Sequence, residues 1–182
     1  MFDWDWVSTA ITAYNTTVDF SALSWSKQMA FERGSFATLL ALQLAENGSE
    51  VEVLAVGDSL AVHVRDGLLL STFPYEQAEQ FDENPMLLST LSPNNSFVKE
   101  PGFFQRNSSK TWTILPDDVI YLMTDAVGQW LLKNQRSGES ALELLDAVTI
   151  QEEFSALTLR LRSENKLKLD DSTLIRLIVE SS

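Results

Sequence analysis

Pro116-Asp117-Asp118-Val119-Ile120-Tyr121-Leu122-Met123-Thr124-Asp125-Ala126-Val127-Gly128-Gln129-Trp130-Leu131-Leu132 is the stretch whose reading decides the fold. Val119 to Met123 is an unbroken apolar run between a Pro-Asp-Asp turn and the polar pair Thr124-Asp125. A run that short, bounded by turn signals, reads as a buried strand. Ala126, Val127, Trp130 and Leu131 then recur at helical spacing, so the strand runs straight into an amphipathic helix. Asp125 stands at the junction. A carboxylate there can cap the free N–H groups of the helix, or, at the lip of a strand, hold a metal ion.

The rest of the chain is read outward from that unit. Downstream, Ser140 to Glu143 and Thr149 to Glu152 have capping-box spacing and open two further helices, the second carrying Phe154, Leu157 and Leu161. Ser172 to Val179 reads as a last buried strand. Upstream, Thr111 to Leu115 is a strand. The segment from Phe73 to Lys110 has little periodicity and reads as a long loop with a helical turn near Glu76 to Phe81. Before it, Phe36 to Leu44 is apolar on both faces, as in a strand sandwiched between two layers. Asn47-Gly48 and Asp66-Gly67 mark turns, so Val51 to Gly57, Leu60 to Arg65 and Leu68 to Thr72 form an antiparallel meander. At the N-terminus, Trp6, Val7, Ala10, Ile11 and Tyr14 mark a helix, and Asp19 is placed to cap a second one reaching about Arg33. Strands joined by hairpins, with helices around them, imply a layered α+β fold in one domain over residues 1–182.

Composition narrows the chemistry. With 13 Lys and Arg against 26 Asp and Glu, the net charge is −13. Such a chain repels phosphate backbones and anionic lipid, so neither nucleic acid nor a membrane surface is an expected partner. No apolar run approaches the ~20 residues of a membrane span, and the start, Met-Phe-Asp-Trp-Asp-Trp, is acidic where a signal peptide is basic. A cytoplasmic protein is expected. The absence of cysteine excludes disulfides, thiolate metal sites and a cysteine nucleophile. The one histidine, His63, lies in a strand-like alternation and reads as part of a strand face.

Carboxylates remain. Asp58 follows Val-Leu-Ala-Val-Gly, Asp125 follows Ile-Tyr-Leu-Met-Thr, and Asp170 and Asp171 precede the last apolar run. If these strand ends share one edge of a sandwich, their charges converge and repel unless a cation intervenes. Oxygen donors of this hardness suit Mg²⁺ or Mn²⁺. Asp at strand ends is also ordinary turn chemistry.

Gly34-Ser35-Phe36-Ala37, Ala55-Val56-Gly57-Asp58-Ser59, Leu122-Met123-Thr124-Asp125-Ala126 and Asp170-Asp171-Ser172-Thr173-Leu174, in that order, resemble the motifs of the metal-dependent protein Ser/Thr phosphatases of type 2C. The resemblance runs from about Phe31 to Val179. It implies a four-layer α-β-β-α sandwich of antiparallel sheets flanked by helices, with metal ions at one end. It also implies hydrolysis of phosphoserine or phosphothreonine by a metal-activated water. By resemblance, Asp125 and Asp170 are ligands of one core Mg²⁺ or Mn²⁺ ion, and Asp58 helps bind a looser one. Asp171 stands where the family has asparagine, Gly34 and Ser35 are structural, and the segment from Phe73 to Lys110 overlaps a variable flap.

The chain also departs from the pattern. The family's early Asp-Gly motif supplies a carboxylate that bridges two ions, and no Asp-Gly precedes Asp66-Gly67 here, as if the fold were N-terminally truncated. Asp3 or Asp5 could substitute. Ala126 replaces a glycine. Without the bridge, two cations ~4 Å apart repel and a two-ion centre does not assemble. No catalytic residue is assigned, and two readings stand: a metal-dependent phosphatase acting on a phosphoprotein, or an inactive phosphatase-fold module that binds a protein partner. Sheet edges left uncovered by missing strands would call for a rearranged N-terminal helix or a second copy of the chain.

Overall fold

The computed structural model describes residues 4–106, 108–135 and 141–180. Helix α1 (Trp4–Thr17) comes first, then a 3-10 turn (Phe20–Ala22), α2 (Trp25–Arg33), and strands β1 (Phe36–Ala37) and β2 (Leu39–Leu44). β3 (Glu50–Val56), β4 (Leu60–Arg65) and β5 (Leu68–Phe73) follow, then a 3-10 turn (Ala78–Asp82), β6 (Leu88–Ser89), a second 3-10 stretch (Ser92–Lys99) and α3 (Phe103–Arg106). The chain ends with β7 (Ser109–Thr113), β8 (Val119–Met123), α4 (Asp125–Asn134), α5 (Ala141–Asp146), α6 (Gln151–Ser163) and β9 (Leu174–Ile178).

Two antiparallel sheets stack face to face, one ordered β2-β3-β7 and the other β5-β4-β8-β9, while β1 and β6 pair separately. The two-residue period of each strand sorts its side chains into layers. Ala61 and Ile120 of the larger sheet meet Val51, Val53, Trp112 and Ile114 of the smaller between the sheets. Leu60, Val62, Val64, Tyr121 and Met123 point the other way, under α4, α5 and α6. Leu54 and Val56 lie beneath α1, α3 and the 3-10 stretch through Val7, Val98, Phe103 and Phe104. The α-β-β-α order expected from the sequence is the one observed, and the stretch opened on above is its β8–α4 unit. Among the described residues no helix is long and apolar enough to cross a membrane.

Several local expectations change. The meander is two hairpins: β2 and β3 belong to one sheet, β4 and β5 to the other, and the chain crosses between them at Gly57-Asp58-Ser59. Gly57 has φ +102°, and a Cβ on it would come 2.7 Å from Thr38 Cγ2, so only glycine makes this crossing without strain. Phe36 to Leu44 is broken at Thr38 and is an edge, half-exposed, rather than sandwiched. β9 is likewise an edge strand with Ile175 and Leu177 exposed. β7 starts two residues earlier than its apolar pattern suggests.

Asp19 caps only the short 3-10 turn, where its Oδ1 accepts from Ser21 N and Ala22 N; extended Leu23 and Ser24 then delay α2 to Trp25. The box at the start of α6 closes through Glu153, which accepts from the backbone N–H and hydroxyl of Thr149, one residue later than the spacing suggests. Ser140 lies outside the described residues. The supposed loop after Phe73 is mostly a covering layer. Within it Asn95 is fully buried and stands in for a strand partner, accepting from Ser89 N (2.8 Å) and donating to Ser89 O (2.7 Å).

Candidate functional site

Strand register brings the predicted acids to one rim. Leu60 pairs with Met123, and Met123 with Leu174, so the start of β4, the end of β8 and the start of β9 stand side by side. Neighbouring strands are ~4.8 Å apart. Asp58 lies two residues before Leu60, Asp125 two after Met123, and Asp170 four before Leu174. Among the described residues none of the three carboxylates enters an ion pair.

The Asp58 carboxyl shows the effect. Partial burial pushes its pKa up, the negative charge of Asp125 pushes it further and Asp170 adds to that, while its own backbone N–H and nearby Lys168 oppose the shift. Tyr75, just past the end of β5, sits at the same rim; burial raises its phenol, and Asp58 and Glu83 contribute. Its ring packs edge-on against Phe81, 4.7 Å between centroids, beneath α4.

Asp125 is not the cap of α4. Thr124 is the N-cap, in extended conformation, and Asp125 is the first helical residue. The Thr124 hydroxyl makes no capping bond; it donates to Asp171 O (3.1 Å) and accepts from Thr173 N (3.1 Å), while Thr124 N donates to Thr173 O (3.3 Å). On the far side of the same segment, Arg162 Nη2 of α6 donates to Asp170 O and to Ser172 Oγ (2.9 Å). Asp170 Oδ1 accepts from Asp171 N (2.8 Å). Thr124 was in view in the sequence only as half of a polar pair, and no local pattern signals Arg162.

The opposite end of the larger sheet holds a buried charged cluster around one aspartate that sequence reasoning missed. Asp118 is fully buried and accepts from Arg65 Nε (2.7 Å), Arg65 Nη2 (2.7 Å), His63 Nε2 (2.8 Å) and Leu115 N (2.9 Å). An ionised carboxylate only accepts, which places a proton on His63 Nε2. The Arg65 guanidinium, outweighing burial, holds the Asp118 carboxyl well below the usual carboxylate range. Trp112 stacks on His63 at 5.4 Å between centroids. His63 is thus on a strand face, as expected, but bonded and buried. The signal was available: His63 and Arg65 are two apart on one face of β4, and Asp118 precedes its partner strand.

Whether a metal suits the acid rim turns on its donors. Among the described residues no group of three or more His, Cys, Asp or Glu is arranged to hold a metal ion. A two-ion centre therefore does not fit these residues. Asp3 lies outside the described residues, and Asp5 opens α1, which packs on the smaller sheet; it is not among the charges acting on Asp58. What the rim offers is hard oxygen donors, the ligand type of Mg²⁺ or Mn²⁺.

No family model matches the chain, and no curated protein does. Its fold is similar to those of several solved phosphatases. The photosystem II phosphatase PBCP is 14% identical with TM-score 0.48, covering 81% of this chain and 64% of that one. The phosphatase domain of SpoIIE from Bacillus subtilis (Mn presoaked) is 13% identical with TM-score 0.46, covering 80% and 57%. The Mycobacterium tuberculosis serine/threonine phosphatase PstP/Ppp is 18% identical with TM-score 0.49, covering 96% and 80%. This chain thus spans less than two thirds of the first two. These likenesses concern the fold alone, and the chemistry has to come from this chain's own residues.

Proposed function

We propose that this chain is a protein Ser/Thr phosphatase-like domain that takes up one Mg²⁺ or Mn²⁺ ion at the rim formed by Asp125, Asp170 and Asp58. The observation that carries this reading is the meeting of three strand ends, each followed or preceded by an acid that enters no ion pair among the described residues. In it, Asp125 and Asp170 bind the ion and Asp58 supplies further negative charge beside them. When bound, the ion supplies charge neutralisation for a phosphoryl group approaching an otherwise repulsive surface. A phosphoprotein is the expected substrate and the cytoplasm the expected location.

The second reading, an inactive phosphatase-fold module that binds a protein partner, is favoured by the lack of a three-acid ligand group among the described residues. One set of measurements separates the two. Mn²⁺ binding is followed by calorimetry, and Mn²⁺-dependent hydrolysis of p-nitrophenyl phosphate and of a phosphothreonine peptide by product release, with Asp125→Asn as control. Hydrolysis lost in Asp125→Asn supports the phosphatase. Binding without turnover selects the module, and no binding up to millimolar Mn²⁺ removes the ion from both readings.

A further inference from the structure

The two stacked sheets have four edges, and three of them are blunted. In β7, Lys110 reaches across to Thr72 O of β5 (3.2 Å). In β9, Arg176 is tied to Asp146 (2.6 Å). The pairing of β5 with β4 slips between His63 and Val64. Charges and irregularities of this kind keep an edge from pairing with another chain. The remaining edge, β2, runs Leu39-Leu40-Ala41-Leu42-Gln43-Leu44 and has neither a charge nor a proline, and it pairs with β3 in one unbroken register.

The ladder shows which backbone groups of β2 are open. Ala45 N donates to Glu50 O (2.9 Å), whereas Ala55 N turns the other way, to Ser108 O (2.8 Å). Bonded pairs alternate along an antiparallel ladder, so Ala41 and Gln43 are engaged with β3 while the N–H and C=O groups of Leu40, Leu42 and Leu44 point outward. That set maps onto itself under a twofold axis through Leu42: Leu42 faces its own copy, Leu40 faces Leu44, and outward groups meet outward groups. No like charges oppose one another. Glu46, just past the strand, falls beside Thr38 of the second copy and ~27 Å from its own counterpart, well beyond the ~8 Å Debye length.

We propose that β2 is a self-association edge, through which two copies of this chain join their smaller sheets into one antiparallel sheet of order β7-β3-β2-β2-β3-β7. Leu40 and Leu42 already pack between the sheets, and the added strand prolongs that layer over Leu44, which is 61% exposed. The joined sheet ends on β7 at both sides, where Lys110 blunts it, so assembly stops at two. A foreign strand would meet the same backbone groups, but a second copy closes both open edges at once. The strip is ~20 Å long and ~10 Å thick, short of the ~800 Å² per partner of a stable interface. Even with the adjoining apolar groove of about 290 Å³, bordered by exposed Tyr14 and Phe36, the pair exchanges with monomer.

The test is sedimentation of the full chain from low to high micromolar concentration, with amide hydrogen exchange alongside. A reversible monomer–dimer equilibrium is expected, and salt is expected to tighten it because each copy carries a net charge of −13. As dimer forms, exchange slows at Leu40, Leu42 and Leu44 and changes little at Ala41 and Gln43. Leu44→Asp, at an exposed position, is expected to weaken the dimer by about tenfold or more. The chain has no cysteine, so single-cysteine variants report the register under a mild oxidant. Leu42→Cys is expected to cross-link, since directly opposed bonded residues stand ~5.5 Å apart at Cα, within disulfide reach. Leu44→Cys, ~14 Å from its copy, is expected not to. If Leu42→Cys does not fold, the exchange pattern and Leu44→Asp decide. A chain that stays monomeric overturns the proposal, and protection of Leu40 and Leu42 by an added lysine-flanked Thr-Val repeat peptide would then assign the edge to a foreign strand. A dimer indifferent to Leu44→Asp, or one that cross-links as readily through Leu44→Cys as through Leu42→Cys, overturns it as well.

Discussion

The larger sheet carries aspartates at both ends, and the two ends are opposites. At one, Asp118 is sealed from solvent and its oxygens receive four hydrogen bonds, two from one guanidinium. At the other, Asp58, Asp125 and Asp170 share a rim without an ion pair among the described residues, and partial burial, with the charges of Asp125 and Asp170 added, pushes the Asp58 carboxyl up. The same side chain serves cohesion in the first place and works against it in the second. Burial together with hydrogen-bond satisfaction, not residue type, separates the structural acid from the candidates for chemistry.

The comparison can be broken at its satisfied end first. Asp118→Ala leaves Arg65, His63 and the Leu115 N–H facing an empty site. Removing one partner of a buried pair costs about 3–5 kcal/mol, and partial solvation of Arg65 places the expected loss near the lower figure. Urea unfolding reads it directly. A loss under about 1 kcal/mol, the range of exposed pairs, would place Asp118 with the surface acids. Because its carboxyl is held low, its stabilisation is present above the ordinary value of 3.8 and is lost as pH falls below that value toward the lowered one. The stability gap between wild type and Asp118→Ala therefore narrows in strong acid.

At the unsatisfied end, Gly57→Ala forces a side chain into a positive-φ crossing already filled by Thr38. Such strain costs about 1–3 kcal/mol, visible as a lower melting temperature; an unchanged one would mean that the crossing relaxes freely. Asp58→Asn is expected to have the smallest effect and the opposite sign. A carboxyl with a raised pKa is hardest to keep in the fold when ionised, so the amide raises the melting temperature at pH 7. That advantage vanishes as pH falls through the raised folded value toward the ordinary 3.8, where the acid is protonated in both states. A penalty at pH 7 in place of a gain would contradict the uncompensated state of this rim.

The layered fold was legible because its signals are local. The β8–α4 unit, the turns at Asn47-Gly48 and Asp66-Gly67, and the order of strands and helices all follow from period and turn residues. The shared rim was legible too, since Leu60, Met123 and Leu174 stand side by side in register and Asp58, Asp125 and Asp170 lie just beyond those strand ends. What escaped reading depends on partners distant in sequence. Asn95 replaces a strand from inside an apparent loop, and β9 looks buried by composition but lies at an edge. Asp118 reads as turn chemistry until His63 and Arg65, more than fifty residues away, are seen beside it. Arg162 hides in an amphipathic helix whose polar residues look interchangeable.

Gly128 lies one turn into α4, and a methyl group placed there would come 2.9 Å from the Leu60 side chain and 3.0 Å from the Phe81 ring. Leu60 is two residues past Asp58, and Gly128 three past Asp125. The gap between those two acids is accordingly gauged by an atom that is absent: the helix rests flush on the strand because nothing protrudes between them. Any residue other than glycine at 128 acts as a shim under the first turn of α4, tilting Asp125 away from Asp58 without touching either.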